Sequence, residues 1–385
     1  MRFADALAAP GLGAIAEIKR RSPSAGDLRP DADPARIAAA YARAGAAAIS
    51  VLVDERFGGT WDDLRAARAA TDAPLLAKGF LSTEEHLRTA KEAGADAALL
   101  LLRDLDDETT ARLLRAAAGL GLDTLVEAHD AAEVERAIAL GAPVVGVNAR
   151  DLSTFEIDRR AQLELVARIP RDRIAIAESG ITTRAQGAAA ELAGADAILV
   201  GSALMRAPDP AEKLRDLLRR PLVKVCGLTL EEDVAVAAEA GADLAGFVLA
   251  PESPRATESV LPVPDELLAV AVWVGEAGES GATLDQVHER AQGKVRGRDA
   301  TLYRDGEAVA QVLDLPWQEE DPAHWDRAAA AEGRVVLAGG LAADNVAEAI
   351  RRVRPWAVDA SSRLESAPGI KDAAKVRDYV EAARA

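Results

Sequence analysis

The sequence is poor in the residues that build disulfides, metal clusters and membrane spans. Its single cysteine, Cys226, excludes an intrachain disulfide and fits a reducing compartment. Four scattered histidines beside that cysteine do not form the ligand pattern of a metal centre, so no metal is expected. We find neither a signal peptide nor an apolar run of membrane-spanning length, which predicts a cytoplasmic protein without a membrane partner.

Positive charge is also in short supply. Lys and Arg number 46 against 63 Asp and Glu, which gives a net charge of −17. This excess of negative charge argues against nucleic acid as a partner, although a local basic pocket can still hold a phosphate. The composition is otherwise globular, and 385 residues exceed what one hydrophobic core usually supports. We therefore expect two domains.

One junction recurs along the chain. An Ala-rich helix ends, a glycine able to adopt a left-handed cap follows, and a continuous apolar run of strand length comes next. The junction occurs in RAGAAAISVL (43–52), EAGADAALLLL (92–102), ALGAPVVGVN (139–148), LAGADAILVG (192–201) and EAGADLAGFVL (239–249). Apolar runs without alternation are typical of parallel strands buried on both faces, so the repeat indicates βα units.

Residues 1–219 contain about eight such strands, the number that closes a (β/α)8 TIM barrel. The strands are expected near 14–18, 48–52, 74–78, 97–102, 123–127, 144–148, 174–178 and 197–201. An open doubly wound sheet is the alternative, but no Gly-x-Gly-x-x-Gly turn follows the first strand.

A second series of strands begins in RRPLVKVCGLT, after Pro221, and ends near 335–338 and 356–359. The economical interpretation is an α/β chain of two tandem TIM barrels, with domains at 1–219 and 220–385. From Pro221 to Ala385 there are 165 residues, fewer than the roughly 200 of a full barrel. The second barrel is therefore expected to be shortened, within 273–330.

Polar residues stand at the carboxyl ends of the first eight strands, where such a barrel builds its active site. They are Glu17, Lys19, Lys78, Glu127, Asn148, Arg150, Glu178, Ser179, Gly201 and Ser202. Any one alone could be a charge leaving a strand for solvent, but together they indicate a site. Gly180, Gly201 and Ser202 stand where backbone N–H groups meet a helix N-terminus, which predicts phosphate binding. Tight turns needed for packing are the alternative.

Seven segments, in order, resemble the indole-3-glycerol phosphate synthase family. They are AEIKRRSPSAGDLRP, SVLVDERFGGTWDDL, PLLAKGF, LVEAHD, VGVNARDLSTFEID, AESGI and VGSALM, and they cover nearly all of residues 12–206. The resemblance implies an enzyme without a cofactor. It closes an indole ring on a carboxyphenylamino-deoxyribulose 5-phosphate, with loss of CO2 and water.

By position, Lys78 resembles the family's general acid at the substrate carbonyl and leaving hydroxyl, and Glu127 its acid–base partner. We expect a lysine beside a second lysine in a partly dry site to have a lowered pKa. The resemblance places the other residues around the substrate: Glu17 beside it, Lys19 at its anions, Ser22 and Arg150 at the anthranilate carboxylate, Asn148 and Glu178 at the reacting centre, and Ser179, Gly201 and Ser202 at the phosphate and ribulose end. Two departures are Gly79, where the family usually has an acidic residue, and a segment 1–11 too short for its N-terminal helical extension.

Four segments of the second half resemble phosphoribosylanthranilate isomerase, the family that makes the synthase's substrate by an Amadori rearrangement. They are KVCGLT (224–229), AGFVLAPESPR (245–255), VLAGGLAADNV (336–346) and DASSRLESAPGIKD (359–372). The resemblance implies Cys226 as general base, with a lowered thiol pKa, and Arg255 as the group that holds the anthranilate carboxylate. It also implies a phosphate clamp made of Gly339, Gly340, Ser361 and Ser362. A small buried core residue is the alternative for Cys226.

The general acid of the second half is the open position. Asp314, in QVLDLPWQEEDPAHWD, stands where the resemblance implies this acid, but the glycine-rich loop that should follow is absent. Glu319, Glu320 and Asp321 place negative charge there instead, and Arg363 replaces a small residue of the family.

We therefore expect a bifunctional enzyme of tryptophan biosynthesis acting on phosphorylated small molecules. A synthase with a non-catalytic C-terminal half and a non-enzymatic phosphometabolite sensor are the alternatives, and the oligomeric state stays open.

Overall fold

The computed structural model describes residues 2–22, 26–151, 154–290, 298–315 and 321–385. Contacts between residues divide the chain into two units. One comprises Met1–Thr182 and Gly187–Leu218, and the other comprises Thr183–Gln186 and Arg219–Ala385. Within the described ranges no helix is both long and apolar enough to cross a membrane.

The described residues of the first unit form a closed barrel of eight parallel strands, numbered β1 to β8. Each strand pairs with its neighbours in sequence, and β1 closes the barrel by pairing with both β2 and β8. The strands are Gly13–Ile18, Ala48–Leu52, Leu75–Lys78, Ala97–Leu101, Asp123–Ala128, Val144–Asn148, Ile174–Glu178 and Ala197–Val200. The TIM-barrel fold is confirmed, and each strand lies within one residue of the range expected from the sequence.

Helices α1 to α10 surround this barrel: Phe3–Leu7, Pro34–Arg43, Trp61–Ala70, Glu84–Glu92, Asp107–Gly119, Ala131–Ala139, Arg159–Val166, Arg184–Ala193, Ser202–Arg206 and Pro210–Leu218. Side-chain caps start several of them. Asp33 accepts from two N–H groups at the start of α2, and Thr60 forms a capping box with Asp63 at α3. After α4 and α6 the chain turns through Gly94 (φ +94°) and Gly141 (φ +76°), the left-handed glycines that the repeat predicted. Short pieces complete the unit: 3-10 turns at Glu55–Phe57 and Leu102–Asp104, and a hairpin of Arg21–Ser22 with Gly26–Asp27.

The interior of the first barrel changes from apolar to polar along the strands. Near the amino ends Ile15, Leu76 and Leu125 pack with Phe3 and Leu7 of α1, which closes that end of the barrel. Burying each of these two α1 side chains contributes about 1.5–3 kcal/mol. Side chains on a strand alternate in direction, so the next inward positions are two residues further along. Those positions are polar: Glu17, Lys78, Glu127 and Glu178.

The described residues of the second unit also form a closed barrel of eight strands, numbered β9 to β16. The strands are Leu222–Cys226, Leu244–Val248, Leu268–Val274, Leu284–His288, Ala300–Arg304, Glu307–Leu313, Val335–Leu337 and Ala357–Ala360. Helices α11 to α14 are Glu231–Glu239, His324–Ala330, Val346–Val353 and Ala373–Arg384. A 3-10 turn at Ser362–Leu364 and a hairpin of Glu365–Ala367 with Ile370–Lys371 follow β16.

The shortening of the second barrel removes helices rather than strands. Among the described residues no helix separates the strands from β10 to β14. Strand β13 runs in the opposite direction to its neighbours and pairs antiparallel with both β12 and β14. A tight turn at Asp305 and Gly306 joins β13 to β14, where a parallel barrel would need a crossover helix. The expectation of missing βα units is thus met by a hairpin, and the barrel still closes.

The reversal of β13 changes what lies at the carboxyl ends of the other strands. Because β13 runs antiparallel to β12, the first residue of β13 lies at the same end of the barrel as the last residue of β12. Asp299, immediately before β13, accepts a hydrogen bond of 3.1 Å from the backbone N–H of Asp314, which directly follows β14. The end where a barrel of this kind holds its active site therefore includes Asp299, the residue that leads into the reversed strand.

Candidate active site

A cavity of about 460 Å³ opens at the carboxyl ends of the strands of the first barrel. It is lined by the following residues that the sequence predicted: Glu17, Lys19, Ser22, Lys78, Glu127, Asn148, Arg150, Ser179, Gly180, Gly201 and Ser202. Glu178, the remaining predicted residue of this half, is fully buried and bonds to Lys78. The fold therefore brings the predicted residues of the first half together.

Lys78 is the centre of the charged cluster. Its Nζ lies 2.5 Å from Glu178 Oε2, 3.5 Å from Glu127 Oε2 and 3.6 Å from Glu17 Oε2. Lys19 pairs instead with the other oxygen of Glu17, at 2.8 Å. The carboxylates are at most 3% exposed, so their charges interact in a poorly solvated space. Two lysines are thus shared among three glutamates.

This arrangement overturns the expected pKa of Lys78. Burial lowers the pKa of the ammonium group, but the three surrounding carboxylates outweigh burial and raise it. The prediction of a lowered pKa was wrong because the groups nearest to Lys78 are carboxylates, while Lys19 is itself paired with Glu17. Lys78 is therefore held as an ammonium ion until a substrate displaces its partners.

The two carboxyl groups beside Lys78 have pKa values shifted in opposite directions. Burial raises the pKa of Glu127, but Lys78 and His129 outweigh it and lower the value to about 2. Burial and the neighbouring charge of Glu127 raise the pKa of Glu178 to about 8, against the pull of Lys78. Pairs of titratable groups separated in this way divide into a base and an acid. Glu127, like Glu17, is then firmly ionised, and Glu178 is the carboxylate of the cluster that takes up a proton most readily.

Two glycines make room for these side chains. A Cβ added to Gly146 in β6 would lie 2.1 Å from Glu178 Oε1. A Cβ added to Gly201 after β8 would lie 2.3 Å from Glu17 Oε1 and 3.0 Å from Lys19 Cε. A larger residue at either position would displace a charged side chain of the cluster.

The upper part of the cavity carries positive charge. Arg150 donates a hydrogen bond to the carbonyl of Phe155, and burial together with nearby Arg206 lowers the pKa of Arg150. Arg206 and Lys213, which the sequence analysis missed, line the same cavity. Their signal was weak because both stand on helices, and the prediction considered strand ends. A cavity with a cationic rim fits a substrate with two anionic groups.

Phenylalanine is the second group that sequence reasoning missed. The chain has five phenylalanines, and Phe57, Phe80 and Phe155 line this cavity. The rings of Phe57 and Phe80 are stacked with centroids 6.3 Å apart, and the Arg56 guanidinium lies 3.5 Å above Phe80. Three of only five phenylalanines therefore line one cavity. This concentration of a rare residue would have been a usable signal for an aromatic substrate.

In the second barrel, Cys226 ends β9 and is buried beside Lys224. Lys224 Nζ donates hydrogen bonds to Gln286 at 2.6 Å and to Asp359 at 2.8 Å. Burial raises the pKa of the Cys226 thiol although Lys224 opposes the shift, so the expected lowering is wrong for this structure. Asp314 adds to the upward shift, which places its charge within reach of Cys226.

Arg255 is engaged by a side chain of its own barrel. It forms a bidentate ion pair with Glu365, with both N···O distances at 2.7 Å. A Cβ added to Gly227 would lie 2.7 Å from Arg255 Cδ and 2.9 Å from Ser361 Oγ. Arg255 and one serine of the predicted phosphate clamp therefore meet directly after Cys226. Any carboxylate that reached Arg255 would compete with Glu365 for this guanidinium.

The rest of the predicted clamp is held by Arg363. Its guanidinium donates to the carbonyl of Gly340 at 3.0 Å and to Asp344 at 2.7 Å, which ties the Gly339–Gly340 turn to Ser362.

Of the acidic residues after Asp314, Glu319 and Glu320 lie outside the described residues. Asp321 is paired with Arg298 and Arg327, so its charge is compensated.

A lysine among three carboxylates, at the floor of a cavity with a cationic rim, places the first unit among (β/α)8-barrel enzymes of acid–base chemistry. The family model of indole-3-glycerol phosphate synthase matches residues 1–217, and that of N-(5'phosphoribosyl)anthranilate (PRA) isomerase matches residues 323–382. The chain belongs to the indole-3-glycerol phosphate synthase family, and its function lies in tryptophan biosynthesis.

Two curated relatives and one solved structure are similar to parts of the chain. The indole-3-glycerol phosphate synthase of Nocardioides sp. is 50% identical over 208 residues, which are 54% of this chain and 80% of that protein. Indole-3-glycerol phosphate synthase 2 of Streptomyces coelicolor is 46% identical over 217 residues, 56% of this chain and 84% of that protein. The crystal structure of phosphoribosyl anthranilate isomerase from Thermus thermophilus is 28% identical, covers 42% of this chain and 97% of its own, and aligns with a TM-score of 0.35.

Proposed function

We propose that the first barrel closes the indole ring of indole-3-glycerol phosphate through the Lys78 cluster, and that the second barrel isomerises phosphoribosylanthranilate. The observation that carries the first part is Lys78, bonded to Glu178 and within 3.6 Å of Glu127 and Glu17 at the floor of the cavity. Pure binding of a phosphometabolite does not need a proton donor opposed to carboxylates, which argues against a sensor.

The substrate is bound by its two anionic ends. Its anthranilate carboxylate lies between Arg150 and Ser22, with Arg206 adding positive charge. Its phosphate lies at the turns after β7 and β8, which contain Ser179, Gly180, Gly201 and Ser202, with Lys19 nearby. Ser179 and Gly180 both have positive φ, at 69° and 73°, which turns successive backbone groups toward the cavity mouth. The stacked rings of Phe57 and Phe80 flank the aromatic ring.

Ring closure follows from this placement. The substrate carbonyl displaces Glu178 from Lys78, and the ammonium group donates a proton as the aromatic carbon attacks. The carboxylates of Glu17 and Glu127 stabilise the positive charge that develops on the ring. Loss of CO2 restores the benzene ring, and Lys78 regains a proton from solvent. Glu127 then removes a proton from the carbon bonded to nitrogen in the new five-membered ring, and the hydroxyl leaves as water with the second proton of Lys78, which completes the indole. Asn148 holds Glu127 in place with a hydrogen bond of 2.8 Å.

The isomerase proposal rests on the second barrel being closed, with Asp314 directly after β14 at the carboxyl end. Cys226 acts as base once Lys224 stabilises the thiolate, and Asp314 acts as acid. Gly339, Gly340, Ser361 and Ser362 hold the phosphate, and Arg363 fixes their geometry. The opposing possibility, a non-catalytic C-terminal half, is favoured by the Arg255–Glu365 ion pair, because that pair occupies the carboxylate-binding group.

Paired variants of the full chain test both proposals. Purified wild-type protein is assayed separately for ring closure and for isomerisation, next to Lys78→Met and Cys226→Ser. We expect each variant to lose one activity and keep the other. Wild-type protein that binds substrate without turnover would establish the sensor, and an absent isomerase activity would leave a synthase alone. We further propose that the domain boundary lies between residues 219 and 220 and that the protein is cytoplasmic.

A further inference from the structure

His129 lies between two carboxylates in the first barrel. It follows β5 directly, and its Nε2 lies 3.3 Å from Glu127 Oε1. Its Nδ1 lies 3.3 Å from Glu133 Oε2, in the first turn of α6, and its backbone N–H donates to the same oxygen at 2.8 Å. Asp130 caps α6 and so fixes Glu133 relative to the strand. The ring therefore has a carboxylate oxygen at each nitrogen.

Only the protonated ring suits this position. A neutral imidazole carries one N–H, so one of its nitrogens would present a lone pair to a carboxylate. An imidazolium donates at both nitrogens and neutralises half of the charge around it. Burial lowers the pKa of His129, but Glu127 and Glu133 outweigh burial and raise the value to about 9. The ring stays charged through the neutral pH range.

The two carboxylate oxygens of Glu127 have different neighbours. Asn148 Nδ2 and His129 Nε2 both approach Oε1, at 2.8 and 3.3 Å. Lys78 approaches the other oxygen, Oε2, at 3.5 Å. Within the part of the chain that the structure describes, neither Oε2 nor His129 Nε2 has a hydrogen-bond partner, so the contact between His129 and Oε1 is an ion pair. The hydrogen bond from Asn148 and the charge of His129 thus hold one oxygen of Glu127, and the other oxygen is left to meet the substrate.

We propose that His129 is a positioning residue of ring closure, a persistent imidazolium that anchors Glu127 through Oε1 and keeps it ionised so that Oε2 serves as the base. The role rests on the proposed function of the first barrel. The charged groups that face Glu127 from the other strands are Lys78 from β3, Glu17 from β1 and Glu178 from β7. Those carboxylates disfavour a charged Glu127, so Lys78 and His129 together must overcome them.

The first test observes His129 itself and is independent of turnover. The chain has only four histidines, so spectra of the full-length protein labelled at histidine Cε1 contain few resonances. The resonance that disappears in His129→Gln belongs to His129. We expect its titration midpoint near pH 9, and a decrease of about one pH unit or more in Glu133→Gln, which removes one neighbouring charge. A midpoint at the ordinary value for histidine, or none of this change in Glu133→Gln, would overturn the proposal.

The second test is the pH dependence of ring closure. In His129→Gln the acid limb of kcat should move up by about one to three pH units, because Glu127 loses an opposite charge. KM should change by less than about threefold, since the substrate does not contact His129. His86→Gln, at a half-buried helix position outside the cavity, is the matched control and should leave both quantities unchanged.

Glu133→Gln keeps His129 in place and should move the acid limb in the same direction by a smaller amount. It guards against a His129 variant that fails to fold. A uniform loss of kcat at every pH in both variants would indicate a purely structural residue and would overturn the proposal. If the wild-type chain does not close the ring at all, the proposed function fails, while the histidine titration still decides the charge state of His129.

Discussion

Replacing Lys78 by Met tests the cluster through stability as well as activity. The change keeps an unbranched side chain but removes the ammonium group shared by Glu17, Glu127 and Glu178. Loss of a proton donor that acts in the transition state should reduce ring closure by about a thousandfold or more. Binding of a phosphate analogue should stay within about a few-fold, because the phosphate turns are untouched.

The stability effect can be worked out from the burial of the cluster. Removing one partner of a buried ion pair typically costs about 3–5 kcal/mol, because the remaining charge is left uncompensated. Against burial, Lys78 and His129 lower the pKa of Glu127 to about 2 from its ordinary value of 4.5, so this carboxylate stabilises the fold above pH 4.5 and ceases to do so as the pH falls toward 2. In Lys78→Met this contribution is reduced. The deficit should be fully present above about pH 4.5 and should shrink as the pH falls toward 2, where Glu127 takes up a proton.

The assay is urea unfolding of the full chain at about pH 7 and about pH 3, together with the rate of ring closure near pH 7. Lys91→Met is the control, because Lys91 lies at an exposed position of α4 and its Nζ contacts only the carbonyl of Gly121 among the described residues. Near-normal turnover in Lys78→Met would refute the assignment of the acid. A loss of stability equal at both pH values would refute the electrostatic reasoning.

The remaining predictions concern binding, the second barrel and the domain boundary. Arg150→Ala should raise KM for ring closure by about 10- to 100-fold with a smaller effect on kcat, as measured by steady-state kinetics, and an unchanged KM would contradict carboxylate binding. Cys226→Ser should abolish isomerisation and leave ring closure within about twofold; a surviving isomerase rate would disprove the base. Glu365→Gln should lower the isomerase KM several-fold by releasing Arg255, and no change would mean that the substrate does not reach this guanidinium. Residues 1–219 expressed alone should fold and close the ring, whereas an insoluble fragment would show that the second half completes the first core.

The sequence was most informative where strands are covered by helices. Such strands are buried on both faces, so β4 and β8 are continuous apolar runs, and both the strands and their carboxyl ends can be located in the sequence. The residues at those ends then follow from the barrel geometry, as with Lys78 and Glu127. The charge states of these residues could not be predicted from the sequence. The pKa of Lys78 depends on three carboxylates, and their distances from Lys78 are set only in the folded barrel.

The reversed strand was missed for the opposite reason. Strands β12 to β14 are not covered by helices within the described residues, so buried and partly exposed positions alternate along them. Val312 is buried and Gln311 is exposed, for example, which breaks the continuous apolar pattern used to find strands. His129 was missed because its partners, Glu127 and Glu133, meet only when the strand end and the first turn of α6 are packed together.

The hairpin of β13 and β14 also affects how the second barrel acquires its structure. A parallel barrel joins each pair of neighbouring strands across a helix, so its pairings close long loops and form late. Here Arg304 pairs with Glu307 across a two-residue turn, and the pairing extends to Ala300 and Val312. These contacts are the most local strand pairings of the described part of that barrel and close at little cost in chain entropy. We expect the hairpin to form early, so that the remaining strands of the second barrel assemble on it from both sides.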